Sequence, residues 1–277
     1  MSFVFPNSGG AYDFENAQQA YDDIASRGDV WQNQSRANFY HSVLNSVLDP
    51  DVQFVGESET ILEDRLEEGY GIALAFNHAK AIDPVHIAAM ASKEPSFEPM
   101  VGHTMIGAKV GIHKAPVVGG IVPDLGSIPL WRKPSDVVKE PKELDESELS
   151  AIKLQLNETN TSFIRLMQLG MERGHHMVQF AEGTRNREDP LKIQDVRSGF
   201  GRVVAGVEKP IWYGVGAIYY GDEDNGTWRK PTMVVDLDLD SQARETPQQV
   251  KEVIMPKMQK ALDTAVSHHD GKELVSK

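Results

Sequence analysis

Acid–base chemistry is most easily written on one stretch of this chain, Asn77-His78, with Asp83 five positions beyond the histidine. An imidazole bonded to a carboxylate through one ring nitrogen has its tautomer fixed, and the other nitrogen is left to take a proton from a hydroxyl. On one continuous helix the two side chains would point about 140° apart, so they can meet only across a break in regular structure. The flanking sequence supplies the break. Gly71 to Phe76 is a short apolar run suited to a buried strand. Asp83-Pro84 reads as an N-cap followed by proline at the first helical position, with Val85, Ile87, Ala88, Ala89 and Met90 following as helix. His78 is therefore expected at the carboxyl end of a strand and Asp83 at the head of the next helix. Taken alone, His-x4-Asp is short and common, and reads equally well as a helix cap beside a loop histidine.

A second polar cluster ends a second short strand. Met177-Val178-Gln179-Phe180 runs into Ala181-Glu182-Gly183-Thr184-Arg185. Gly183 lets the backbone approach a ligand closely, and Arg185 carries a planar fork that can hold a phosphate through two parallel hydrogen bonds. Between the clusters, Gly126-Ser127-Ile128-Pro129-Leu130-Trp131-Arg132 is an apolar segment ending in another guanidinium. Singly, these are also what a surface turn and a surface salt bridge look like.

The elements that must position these residues alternate in type. Residues 1–10 read as a loose arm. Two amphipathic helices, Tyr12 to Arg27 and Val30 to Leu48, join near Gly28-Asp29 and either pack on the main domain or form an interfacial lid. A strand is expected at Val52 to Gly56, a charged short helix or loop at Glu57 to Glu68, and a strand and short helix between Met100 and Pro116. A further strand is expected at Ile121 to Pro123. Lys133 to Leu149 reads as a mobile loop, either a solvated insertion or a flap over a ligand. Helices follow at Thr161 to Gly174 and Gly199 to Val207, and strands at Pro210 to Tyr220 and Met233 to Leu237, with a turn-rich loop from Asp222 to Lys230 between them. Thr246 to Val266 is a closing helix kinked or broken at Pro256, with a frayed tail from His268. Alternating strands and helices indicate an α/β layer fold: a mixed sheet flanked by helices, with an N-terminal helical extension over 1–50 and an α/β domain over 51–277.

Composition excludes several classes. The 277 residues can bury a substantial core, and with no cysteine there is no disulfide framework and no thiolate zinc site. A net charge of −13 disfavours nucleic-acid binding and broad adhesion to an anionic membrane, while leaving room for a local basic pocket. No apolar run is long enough to span a bilayer, and Met1 to Pro6 lacks the basic flank and apolar core of a signal peptide. A cytoplasmic protein is expected, with peripheral contact with the inner face of a membrane as a further expectation.

In order and rough spacing, Asn77-His78-x4-Asp83, Gly126 to Arg132, Phe180-x-Glu182-Gly183-Thr184-Arg185 and the apolar block around Pro210 resemble the glycerolipid acyltransferase family, which includes the glycerol-3-phosphate and 1-acylglycerol-3-phosphate acyltransferases. The resemblance covers roughly residues 50–220 and takes in the strand at Val52 to Glu57. It implies transfer of a fatty acyl group to a hydroxyl of glycerol-3-phosphate or a lysophosphatidate, in phospholipid biosynthesis. The co-substrate would be an acyl-CoA or acyl carrier protein thioester, with no bound cofactor and no metal. His78 would be the general base and Asp83 its orienting partner, with the substrate hydroxyl standing where a triad has serine. Arg132, Glu182, Gly183, Thr184 and Arg185 would belong to the acceptor-phosphate site, and Pro210 would support the pocket. Departures are Ala79 and Asn186, where serine is frequent in the family, and the long insertion after Arg132. The missing anchor-like run leans toward glycerol-3-phosphate as acceptor or toward peripheral attachment. Lys133, Lys139 and Lys142 would offer a basic patch to an acidic carrier protein.

Two other classes compete. A metal-dependent hydrolase would draw on His78, His86, His103, His113, His175 and His176, yet none falls in a recognisable ligand spacing. A member of the fold with a different acceptor would use the same His78 and Asp83 and stays open, whereas a non-catalytic lipid-binding member has no evident reason to keep both.

Overall fold

The computed structural model describes residues 14–26, 32, 34–114, 118–138, 140–221, 230–240 and 246–275, with backbone only at 118, 238–240 and 272–275. The arm at 1–10, the junction at Gly28-Asp29 with Val30 and Trp31, the helix stop at Pro116, the patch residue Lys139 and the loop at 222–229 lie outside the described residues.

In chain order the helices are α1 (Ala17–Ser26), α2 (Gln34–Val47), α3 (Ser58–Glu67), α4 (Asp83–Lys93), α5 (Val110–His113), α6 (Val118–Ile121), α7 (Glu146–Glu172), α8 (Ser198–Val204) and α9 (Pro247–Val275). The strands are β1 (Asp51–Phe54), β2 (Gly71–Phe76), β3 (Thr104–Lys109), β4 (Ser127–Leu130), β5 (His176–Phe180), β6 (Ile211–Tyr219) and β7 (Thr232–Asp240). They form one mixed seven-stranded sheet in the order β1-β7-β6-β2-β5-β3-β4, with helices on both faces. Neighbours run parallel except β6 and β7.

β2 is central and wholly buried, as an apolar run without alternation must be when both faces of a parallel sheet are covered. Its residues divide between two cores by the two-residue period of a strand. Ile72, Leu74 and Phe76 join Ile87 and Met90 of α4, with Val178 and Phe180 of β5. Ala73 and Ala75 join the opposite layer, where α1, α7, α8 and α9 contribute Tyr21, Phe163, Phe200 and Ile254. α1 is tied to the sheet rim as well, since the Tyr21 hydroxyl donates to the Pro129 carbonyl of β4 at 2.8 Å. Pro129 is tolerated because β4 is an edge strand with one neighbour.

Several expectations are corrected. Ile121 to Pro123 is not a strand: Ile121 ends α6, the amides of Asp124, Leu125 and Ser127 close local turns on Ile121 and Val122, and pairing begins only at Ser127. Gly126 makes that turn at φ 83, where a Cβ would lie 1.8 Å from the Thr104 carbonyl oxygen. The expected loop at 133–149 ends early, because Asp145 and Glu148 form a reciprocal capping box that starts α7 at Glu146. The helix expected from Thr161 therefore begins 15 residues sooner (161 − 146); the apolar signal comes late because its buried stripe starts only at Leu156. Finally, there is no break at Pro256: α9 runs through this exposed residue, while Val250, Ile254, Met258 and Leu262 bury a stripe on both sides of it. At the head of the expected frayed tail, His268 and His269 are helical and docked, with His268 3.1 Å from Asp51 and His269 3.0 Å from the Thr232 hydroxyl.

The fold buries histidines in neutral form. Desolvation holds His113 down to about 4, and desolvation followed by the charges of His103 and His175 holds His176 down to about 3. The unfolded chain takes up these protons from about pH 6.5 downward, so the contribution is intact above that pH and is lost as pH falls toward the folded values. Glu94 and Asp124, whose carboxyls burial raises, act in the opposite sense. The expected outcome is a shallower loss of denaturant midpoint between pH 6.5 and 4.5 in His113→Gln than in the parent, read by urea titration; parallel curves would refute it.

Candidate active site

The site is built at the carboxyl ends of β2 and β5, the edge at which parallel sheets of this layout present their ligand crevices. Asn77 extends the β2–β6 ladder with its side chain: its amide donates to the Ile218 carbonyl at 3.1 Å and its carbonyl accepts the Ile218 N–H at 2.7 Å. The next residue leaves the sheet, so His78 stands at the rim.

His78 Nδ1 lies 2.8 Å from Asp83 Oδ2. The same carboxylate oxygen accepts the N–H groups of Ala79 at 2.7 Å and Lys80 at 2.9 Å. Asp83 thus does not cap its own helix as expected. Ile82 is the N-cap, without a side-chain bond, and the Asp83 carboxylate turns back to hold the 78–80 turn. Its other oxygen accepts the Tyr220 hydroxyl at 2.6 Å. The carboxyl group is fully buried, whereas the imidazole is 18% exposed and lies face to face with Phe180, ring centres 4.3 Å apart. His78 Nε2 makes no hydrogen bond with the described residues. A buried carboxylate on Nδ1 and a free Nε2 at the rim is the arrangement a general base requires.

Glu182 is brought to the same place but faces inward. Its two oxygens accept the N–H groups of His78 at 2.9 Å and Gln194 at 3.0 Å, and burial raises its carboxyl above the usual range against those two bonds. It ties the turn after β2 to the loop after β5. Asn186 works beside it: its N–H donates to the His78 carbonyl at 2.7 Å, and its side chain takes amides and carbonyls from its own loop. Gly183 has φ 70, and its carbonyl accepts the Arg132 guanidinium, which brings the segment after β4 into the site. The Arg132 amide is held in turn at 3.1 Å by the buried carboxylate of Asp136, which pairs with Lys109 at 2.9 Å. Thr184 and Arg185 are exposed, with side chains that make no hydrogen bond or ion pair with the described residues.

Sequence reasoning missed Tyr220, Asn186 and Asp136. Tyr220 lies just past β6 and in the sequence looks like any apolar strand residue, and its pairing with Asp83 spans 137 positions. Among the described residues, no group of three or more His, Cys, Asp or Glu side chains stands together to hold a metal ion.

The carboxyl edge of this mixed sheet thus carries the His78–Asp83 pair after β2, Arg185 after β5 and Arg132 after the edge strand β4. The Acyltransferase family model matches residues 58–213, more than half of the chain and a span that takes in His78, Asp83, Arg132 and Glu182 to Arg185. The chain belongs to the Acyltransferase family. A comparison with curated proteins gave no match. No helix among the described residues is long and apolar enough to cross a membrane.

Replacing Glu182 by glutamine keeps its size and turns one acceptor into a donor facing a backbone N–H. The expected cost is about 1–3 kcal/mol of unfolding free energy, measured by chemical denaturation; an unchanged midpoint would show that the two loops do not depend on this carboxylate.

Proposed function

We propose that the protein is an O-acyltransferase that moves a fatty acyl group from an acyl-CoA or acyl carrier protein thioester to a hydroxyl of glycerol-3-phosphate or a lysophosphatidate, in phospholipid biosynthesis. The observation that carries the reading is the 2.8 Å bond from His78 Nδ1 to the buried Asp83 carboxylate, with Nε2 left at the exposed rim. The acceptor hydroxyl gives its proton to His78 Nε2 as its oxygen attacks the thioester carbonyl carbon. Asp83 holds the ring and stabilises the imidazolium. The C–O bond forms, the C–S bond breaks, and the imidazolium returns the proton to the departing thiolate. No acyl-enzyme is needed, and no bound cofactor or metal takes part.

Arg185 supplies an uncommitted guanidinium for the acceptor phosphate, and Arg132 supplies its remaining donors from across the Gly183 carbonyl. Gly183 and Thr184 line that site as the loop's closest-approach positions, while Glu182 contributes by holding the loop in place. Peripheral contact with the inner face of a membrane would give access to a lysophosphatidate. Lys133 and Lys142 remain the described positions of the basic patch for a carrier protein.

Thiol release from palmitoyl-CoA, run with glycerol-3-phosphate, with lysophosphatidate and with neither, tests the reaction. Release should require an acceptor, and His78→Ala should abolish it with the melting temperature nearly unchanged; a His78→Ala variant with near-parental turnover removes the base assignment. Arg185→Ala should raise KM for the phosphate acceptor by about tenfold or more, the scale of a lost charge-assisted hydrogen bond, and leave KM for the thioester nearly as it was. Equal weakening of both would refute the phosphate site.

A further inference from the structure

The Asp83 carboxylate is shared between His78 and a buried polar chain that the proposed reaction does not use. Tyr220 follows the last residue of β6 and is 3% exposed; its hydroxyl donates to Asp83 Oδ1 at 2.6 Å. Because the phenol proton is spent on Asp83, the phenol oxygen is the acceptor toward His86 Nδ1, 3.1 Å away on α4. His86 is fully buried, and its ring meets Tyr220 edge-on at 5.4 Å. Burial, then the charge of Asp83 and the hydrogen bond to it, push the phenol far above its ordinary range, so it stays a donor at any working pH. The Lys80 ammonium lies 4.5 Å from the centre of the Tyr220 ring and clamps it from the turn that carries His78.

We propose that Tyr220, supported by His86, is a positioning and tuning residue for the His78–Asp83 pair: it fixes the carboxylate's orientation and draws charge from it, so that His78 binds a proton less tightly than it would beside an unshared aspartate. A donor on one carboxylate oxygen lowers the charge available at the other, and a base that must also return its proton to a leaving thiol is better served by moderate basicity. The His86 N–H polarises the phenol in the same direction. Among the described residues, charged groups facing the pair include Glu182 from the loop after β5 and Lys80 from the 78–80 turn; neither is altered in the test.

The inference rests on His78 being the base, so its test has a readout independent of turnover. Histidine side-chain resonances are titrated by NMR in the parent and in Tyr220→Phe, with the His78 signal assigned by its loss in His78→Ala. The His78 midpoint should rise by about half a pH unit or more in Tyr220→Phe, a factor of about three in its proton equilibrium, and the acidic limb of the kcat/KM profile should move with it. Tyr220→3-fluorotyrosine, a stronger donor of nearly the same shape, should move the midpoint the other way; it also serves if the phenylalanine variant fails to fold. A midpoint that stays put in the fluorotyrosine protein, or moves the same way in both variants, overturns the tuning role. Absence of thiol release from the parent, with the midpoint moving as expected, would instead count against the acyl-transfer reading alone.

Discussion

Everything at the site depends on one buried negative charge. A carboxylate removed from water carries a penalty of several kcal/mol unless donors replace its hydration, and Asp83 is fully buried. Four donors meet it: the ring of His78, the N–H groups of Ala79 and Lys80, and the hydroxyl of Tyr220. Three come from the turn that follows β2, so satisfying the charge also sets the shape of that turn and the tilt of the imidazole. The fourth comes from the residue just past β6 and binds the same carboxylate to the strand next to β2. Catalytic geometry and local folding are thus one constraint.

Glu182 repeats the principle one strand away. Its two oxygens bridge the backbone at His78 and Gln194, so the loops after β2 and β5 cannot move apart without exposing a buried carboxylate or stranding two amides. The Gly183 carbonyl then receives Arg132, whose own backbone is held by Asp136. The chain of contacts from Asp83 to Lys109 passes through backbone groups at nearly every step, which lets the exposed side chains of Thr184 and Arg185 face outward from a rigid support.

The helices ahead of β1 belong to this support. Tyr21 of α1 is buried with Trp131 and Phe163, with ring centres 6.2 and 6.1 Å away, and bonds to Pro129. Trp131 immediately precedes Arg132, so α1 steadies the strand end that delivers the guanidinium. On the other face, His41 of α2 lies 2.9 Å from the Ala88 carbonyl and 2.7 Å from the Ser92 hydroxyl, which fixes α2 against α4, the helix that begins with Asp83. Burial holds His41 below its ordinary range, so it makes these contacts as a neutral ring.

What is local could be read from adjacent residues. The apolar run at Gly71 to Phe76 made a central strand, and the polar break after it set His78 and Asp83 on opposite sides of a turn, because five positions can close only there. Met177 to Phe180 and Pro210 to Tyr220 were legible for the same reason: strand periodicity is written in adjacent residues. Misreadings fell where adjacent residues were poor guides. The first turns of α7 rest on a capping box and little apolar surface, the strand sought at Ile121 waits for the turn at Gly126, and Pro256 is carried by burial on both sides of it. It took the folded chain to show that Tyr220 shares Asp83, that Glu182 faces backbone, that Asn77 completes the ladder with Ile218, and that Arg132 lands on Gly183. Each joins residues far apart in the chain, where the partner is set by strand order and register, and these are fixed by how two apolar faces are covered at once.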